Sequence, residues 1–358
     1  MEISIPQSKI IKSVAILMML CLHMFNRGYE GLFTPILFIG KQPLSYYISL
    51  FSDVCVPIFL FISGYGLYFN YQKNKDSMVK FNSMRLFKLY INYWIVVLLF
   101  GVLLGFLLGK EGYPGTFTKF VLNFLGLVSS YNGGWWFFFT YILLTVLAPL
   151  LFKVLEFCKT DLFLAFVLLF YFVSFYFRIY NNELFTNPYL AWLFKQFYLF
   201  GTSLFPFIVG AMVLQKKWHS QFSNRFGILK YKTLFASLGI GALIVLHGFI
   251  PNLVIAPFLA IPFIFLWNQI HLSKYMEDFF LWLSDHATNI WLVHMFFYMI
   301  YFESYIYAPK HPILIFLNLL FWSVMASYSI NLIYYPILKL VAIKTNKPNE
   351  ITLHNQRN

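Results

Sequence analysis

Apolar residues run along this chain in blocks near membrane-spanning length, broken by short polar turns from one end to the other. A helix needs about 20 apolar residues to cross a bilayer core. On that measure, spans are expected near 9–26, 46–71, 87–109, 134–152, 162–178, 192–215, 232–249, 252–270, 279–301 and 312–341. The pattern predicts an all-α polytopic integral membrane protein of about ten transmembrane helices, because helices satisfy their own backbone polar groups in lipid. One domain is expected over 1–343, followed by a short polar tail over 344–358. The last run is long enough to tilt or protrude. The apolar piece 117–128 is too short to cross and is expected to lie along the outer surface or dip in. Residues 1–25 resemble a signal peptide, with Lys9 and Lys12 ahead of an apolar run. No small-residue cleavage site follows, so this reads as an uncleaved first span.

Composition agrees: 60% of the residues are hydrophobic and only 11% are charged, which excludes an ordinary soluble enzyme. The net charge of +13 would suggest a nucleic-acid partner in a soluble chain. In a membrane protein, positive loops first set orientation. With the N-terminus inside, 19 of the 26 Lys and Arg fall on inner segments and 7 on outer ones, so both termini are expected to be cytoplasmic and no nucleic-acid partner is expected. Cys21, Cys55 and Cys158 show no paired spacing, so neither a disulfide framework nor a zinc site is supported, and no metal is expected.

The stretch 12–23 carries the first candidate chemistry. Lys12 and His23 are eleven residues apart, about three helical turns, so both side chains fall on one face roughly 16 Å apart along the axis. Ionisable groups inside a span usually face a bundle interior or an aqueous cavity; the plainer alternative has Lys12 snorkelling to the interface and His23 in the headgroup zone. Asp53, in the second run, lies at a similar depth to His23, where a carboxylate can orient an imidazole or simply meet the outer aqueous layer. In the same run, Ser63 and Gly64 suit close helix approach, and Pro57 can kink the helix. Arg85 and Lys88, three apart on one face, suit a phosphate or serve as inner-face anchors. Trp135 and Trp136 read as interface-belt residues or as the apolar wall of a sugar-binding mouth. His294 repeats the theme of a histidine deep in a span, with Asp285 and His286 nearer the inner end.

Together these stretches resemble the acyltransferase-3 family of bacterial integral membrane acyltransferases, which includes O-acetyltransferases of surface polysaccharides. A basic residue precedes the first-span histidine by ten intervening residues, as Lys12 precedes His23. A Phe-rich Ser-Gly motif matches 58–65, a basic pair opening the third span matches Arg85 and Lys88, and its aromatic end matches 90–94. Trp136-Phe137, the segment 149–151, and the late motif 290–294 ending in His294 complete the ordered set, which covers nearly the whole chain. Lysine stands at 12 and 88 where the family usually has arginine, keeping the charge without the bidentate fork.

The resemblance implies transfer of an acyl group, most often acetyl, from cytoplasmic acyl-CoA to a hydroxyl of a surface glycan or its lipid-linked oligosaccharide precursor, within the bacterial cytoplasmic membrane and its lipid. On that reading acetyl-CoA is the donor and no metal is needed. Lys12, Arg85 and Lys88 hold the CoA phosphates, and His23 is the general base, acting directly or through an acyl-histidine. Asp53 orients it, His294 belongs to the catalytic set, and Trp135 and Trp136 meet the acceptor. The alternative from another class is a glycan or lipid transporter or flippase, which also needs intramembrane charge. The Lys12–His23 pairing and the late histidine motif weigh against it. A glycan polymerase would want large outer loops, and none here is long.

Overall fold

The first helix begins with a reciprocal cap. The Ser4 hydroxyl accepts from the Gln7 N–H, the Gln7 side chain accepts from the Ser4 N–H, and Pro6 has no N–H to leave unsatisfied in the first turn. From this cap α1 runs over Ile5–Phe25. The computed structural model describes residues 2–344 and is almost wholly helical. The long helices that follow are α2 (Leu44–Lys73) and α3 (Lys75–Leu107), then, after a short α4 (Phe117–Phe124), α5 (Gly133–Phe157), α6 (Thr160–Tyr180) and α7 (Pro188–Gln215). After a short α8 (Trp218–Phe226) come α9 (Lys232–Phe249), α10 (Ala256–Trp267) and α11 (Lys274–Met295). A short α12 (Glu303–Tyr307) precedes α13 (Pro312–Lys344). A two-residue hairpin, Phe38–Ile39 against Gln42–Pro43, turns at Gly40 with φ +63°.

All ten expected runs are helical, and among the described residues eight helices are long and apolar enough to cross a membrane. The other two runs fall short for different reasons. One, α10, has only 12 residues; the other, α11, has 22 but carries Lys274, Glu277, Asp278 and Asp285. The expected polar tail lies outside the described residues, Lys344 excepted, and so does the placement of the C-terminus. Within 117–128, α4 has only 8 residues, too few to cross. Aromatic side chains of α3 satisfy its last carbonyls: Tyr93 Oη donates to Asn123 O (2.6 Å), Trp94 Nε1 to Phe124 O (2.9 Å) and Tyr90 Oη to Leu125 O (3.0 Å).

Two glycines set the closest helix crossing. A Cβ on Gly64 of α2 would stand 1.8 Å from the Phe207 carbonyl oxygen, and one on Gly210 of α7 would stand 2.0 Å from that of Phe61. The contact is reciprocal and backbone to backbone, which is what small residues achieve where lipid supplies no hydrophobic drive. Pro57 shapes the same helix. Its ring would clash with the carbonyl four residues earlier, that of Asp53, and the helix tightens into a 3₁₀ turn at Ser52–Val54. This turn re-aims Asp53.

Overpacking at that crossing should cost about 1–3 kcal/mol. Gly64→Ala is therefore expected to lower the thermal midpoint of the purified protein in detergent. Two residues on, Gly66→Ala meets open space and should be neutral or slightly stabilising. Equal midpoints for the two variants would remove the crossing from the account.

Candidate active site

Three contacts fix α1, α3 and α11 against one another at successive heights. Lys9 pairs with Asp285 (3.1 Å), Asn92 Nδ2 donates to Asn289 Oδ1 (2.6 Å), and the rings of His23 and His294 lie 5.0 Å apart. Along α11 these levels are separated by four and then five residues, about 6 and 8 Å. Lys12 sits one turn above Lys9, while Arg85 and Lys88 sit about 10 and 6 Å below Asn92. The three cations therefore belong to the end of the bundle that holds the N-terminus, and the histidine pair lies further across.

A cavity of about 590 Å³ joins these levels, within the range of small-molecule sites. Its wall includes Lys12, Arg85 and Lys88 at one end, His23 further along, and Asp53, Trp136 and Arg178 beyond. Arg85 is aimed by Tyr141, whose hydroxyl accepts from Nε at 2.7 Å. Mid-way, the Asn289 side chain, which accepts from Asn92, donates to Ser327 Oγ (2.9 Å) and Asn331 Oδ1 (3.0 Å), making a polar step between the cations and His23. Among the described residues no three His, Cys, Asp or Glu side chains gather as a metal site.

The two histidines are not equivalent. His294 is 0% exposed and does not line the cavity. Its Nδ1 lies 2.8 Å from Trp291 O and 3.2 Å from Ile290 O. Carbonyls only accept, so Nδ1 carries the proton and Nε2 is bare, buried and without a hydrogen-bond partner. His23 is half-buried and faces the cavity. Tyr298 stacks beside both rings, at 6.1 and 5.9 Å. Just past this level, both α3 and α11 loosen into π-helical turns, at Val97–Leu103 and Phe296–Tyr301, bridged by Tyr301 Oη donating to Phe100 O (2.6 Å).

Two expectations need correction. Asp53 does not orient His23: the 3₁₀ turn directs its carboxylate to α9, where both oxygens lie 3.0 Å from His247 Nε2. Asp53 and His247 are 7% and 0% exposed, so this pair is shielded on nearly every side. Trp135 does not form the acceptor wall. It is 2% exposed, packs on Tyr93 and Phe296, and donates its indole N–H to Leu292 O (2.9 Å). Trp136 does line the cavity, with the Arg178 guanidinium 4.8 Å from its ring centre.

His247, Arg178, Tyr141 and Asn289 were not singled out from the sequence. A lone histidine in the apolar run 232–249 carries the same signal that selected His23 and could have flagged His247. Arg178 counted only as an outer-side charge, and nothing local in the sequence shows that it faces inward.

Comparison with protein families finds one whose model, described as an acyltransferase domain, matches residues 6–332. Neither the curated proteins nor the solved structures compared give a match.

Removing one partner of a buried pair strands the other, at a cost of about 3–5 kcal/mol. His247→Leu alone should therefore destabilise the protein strongly, and adding Asp53→Leu should recover much of the loss. Thermal melts of the two single variants and the double variant test the pairing. A double variant no more stable than either single one would contradict it.

Proposed function

This chain belongs to the acyltransferase-3 family, and from that premise we propose that it moves an acyl group, acetyl first, from an acyl-CoA to a hydroxyl of a surface glycan or its lipid-linked precursor. It acts as a multi-pass protein of the bacterial cytoplasmic membrane, with the N-terminal face cytoplasmic. The observation that carries this reading is one continuous cavity with cations at one end and His23 further along. The roughly 16 Å of α1 between Lys12 and His23 is comparable to an extended pantetheine arm. Phosphates held near Lys12, Arg85 and Lys88 would leave the thioester near His23, with the acceptor entering from the far side.

In the direct form of the reaction, a neutral His23 takes the proton of the acceptor hydroxyl as its oxygen attacks the thioester carbonyl. An O–C bond forms, the C–S bond breaks, and the proton on His23 passes to the leaving CoA thiolate. His294 is a positioning residue on this reading, packing the His23 ring from behind. Trp136 offers an apolar face to the sugar.

Purified protein in liposomes, given labelled acetyl-CoA on one face, tests the reading through label recovered on an oligosaccharide and free CoA released. Passage of an oligosaccharide without acyl transfer would instead mark a transporter. His23→Ala should lower transfer by about 10²- to 10⁴-fold while the protein stays folded and inserted. Near-normal transfer in that variant would remove His23 from the mechanism.

A phosphate contact with a cation contributes about 1.5–3 kcal/mol. Lys12→Met, Arg85→Met and Lys88→Met should each raise the donor KM about ten- to hundredfold, while Lys12→Arg should be tolerated. An unchanged donor KM in all three Met variants would leave these cations as orientation signals only.

A further inference from the structure

Arg178 sits two residues before the end of α6, where an ordinary interfacial arginine turns outward to water. This one turns inward. The register is fixed by Ser174 against Gly201, where an added Cβ would stand 1.9 Å from Ser174 Oγ. The seven-residue link between α6 and α7 makes them antiparallel, so position 178 should lie level with Phe197. Arg178 Nη1 instead donates to Thr202 Oγ1 at 3.1 Å, five residues deeper, or about 7 Å further into the bundle. Thr202 cannot return a proton, because its own hydroxyl is turned to the carbonyls of Tyr198 (2.9 Å) and Leu199 (3.1 Å). Its oxygen is therefore fixed as an acceptor that aims the guanidinium.

The guanidinium lines the cavity, and among the described residues no carboxylate forms an ion pair with it. Asp53 also lines this cavity, but its ion pair among the described residues is with His247 and not with the arginine. What remains is a half-buried cation whose hydrogen bond, among the described residues, goes to a neutral hydroxyl; it is laid on Trp136 and open to a cavity. Fork geometry suits a planar or tetrahedral oxyanion, and the indole beside it suits a sugar face.

We propose that Arg178 and Trp136 form an anion subsite for the acceptor, so that the acceptor is a sugar bearing a carboxylate or a phosphate rather than a neutral one. This deepens, and as a statement about the acceptor rests on, the acyl-transfer reading of the cavity. The subsite stands apart from the donor cations, on different helices and beyond His23.

The test is binding, measured calorimetrically on purified protein in neutral phosphatidylcholine nanodiscs. Saturating CoA fills the donor end, and glucuronate, glucose 1-phosphate and glucose are titrated in turn. The wild type should bind at least one of the two anionic sugars about tenfold or more tightly than glucose. Preference for glucuronate alone assigns the anion to an acidic sugar, and preference for the phosphate alone assigns it to a phosphate-linked one. Arg178→Met should abolish the preference and leave acetyl-CoA binding unchanged. Arg178→Lys, which keeps charge and loses the fork, should reduce the preference severalfold and decides the matter if the methionine variant does not fold. No preference in the wild type, or full preference in either variant, overturns the proposal. Failure of the wild type to bind acetyl-CoA would overturn the donor reading separately, with the sugar preference still measured on its own.

Discussion

A cation in an apolar helix must face water, an opposite charge or a bound anion, because lipid offers it nothing. That constraint sorts the interior of this protein. Lys9 and Arg27 have found carboxylates, Asp285 at 3.1 Å and Glu303 at 3.0 Å. Among the described residues Lys12, Arg85, Lys88 and Arg178 have not, and all four line the same cavity. The helices are packed so that these four cations, without a carboxylate partner among the described residues, meet one shared cavity. The reciprocal glycine crossing of α2 and α7 helps to make this arrangement, since both helices contribute residues to the cavity wall.

The cavity has polarity because its walls are tied at fixed heights. One contact of α1 with α11 near Lys9, and another at the two histidines, prevent these helices from sliding relative to each other. The Asn92–Asn289 bond sets α3 at an intermediate height. With the register locked, the separation of Lys12 from His23 becomes, on the proposed donor reading, a usable length. A donor anchored by its phosphates would then bring its thioester to a predetermined level.

Helix number and placement were legible in the sequence because spanning length is a strong, local constraint: every expected run is a helix. Gly64 as a close-approach position and Pro57 as a distortion were legible for the same reason, since both act through their own backbone. Partnerships across the bundle were not. Asp53 and His23 share a depth, but depth leaves rotation about the helix axis undetermined, and the turn forced by Pro57 sends Asp53 to His247, 194 residues away. Trp135 and Trp136 are adjacent in sequence and diverge for the same reason: about 100° of helical rotation takes one into the core and the other onto the cavity.

Three histidines lie deep in apolar runs and are indistinguishable by that criterion, so their environments must separate their roles. A general base needs an unprotonated nitrogen within reach of the proton it removes. His247 is fully buried, with Nε2 committed to a carboxylate and Nδ1 enclosed without a partner. His294 has its Nδ1 proton pinned by two carbonyls, and its bare Nε2 is closed off from the cavity. His23 has a ring on the cavity wall, and among the described residues no hydrogen bond holds either nitrogen. It is also the histidine on the helix that carries Lys12. On the proposed reading the deeper histidine has a role of its own: its ring, 5.0 Å behind that of His23, would restrict how that ring turns while leaving both of its nitrogens available for chemistry.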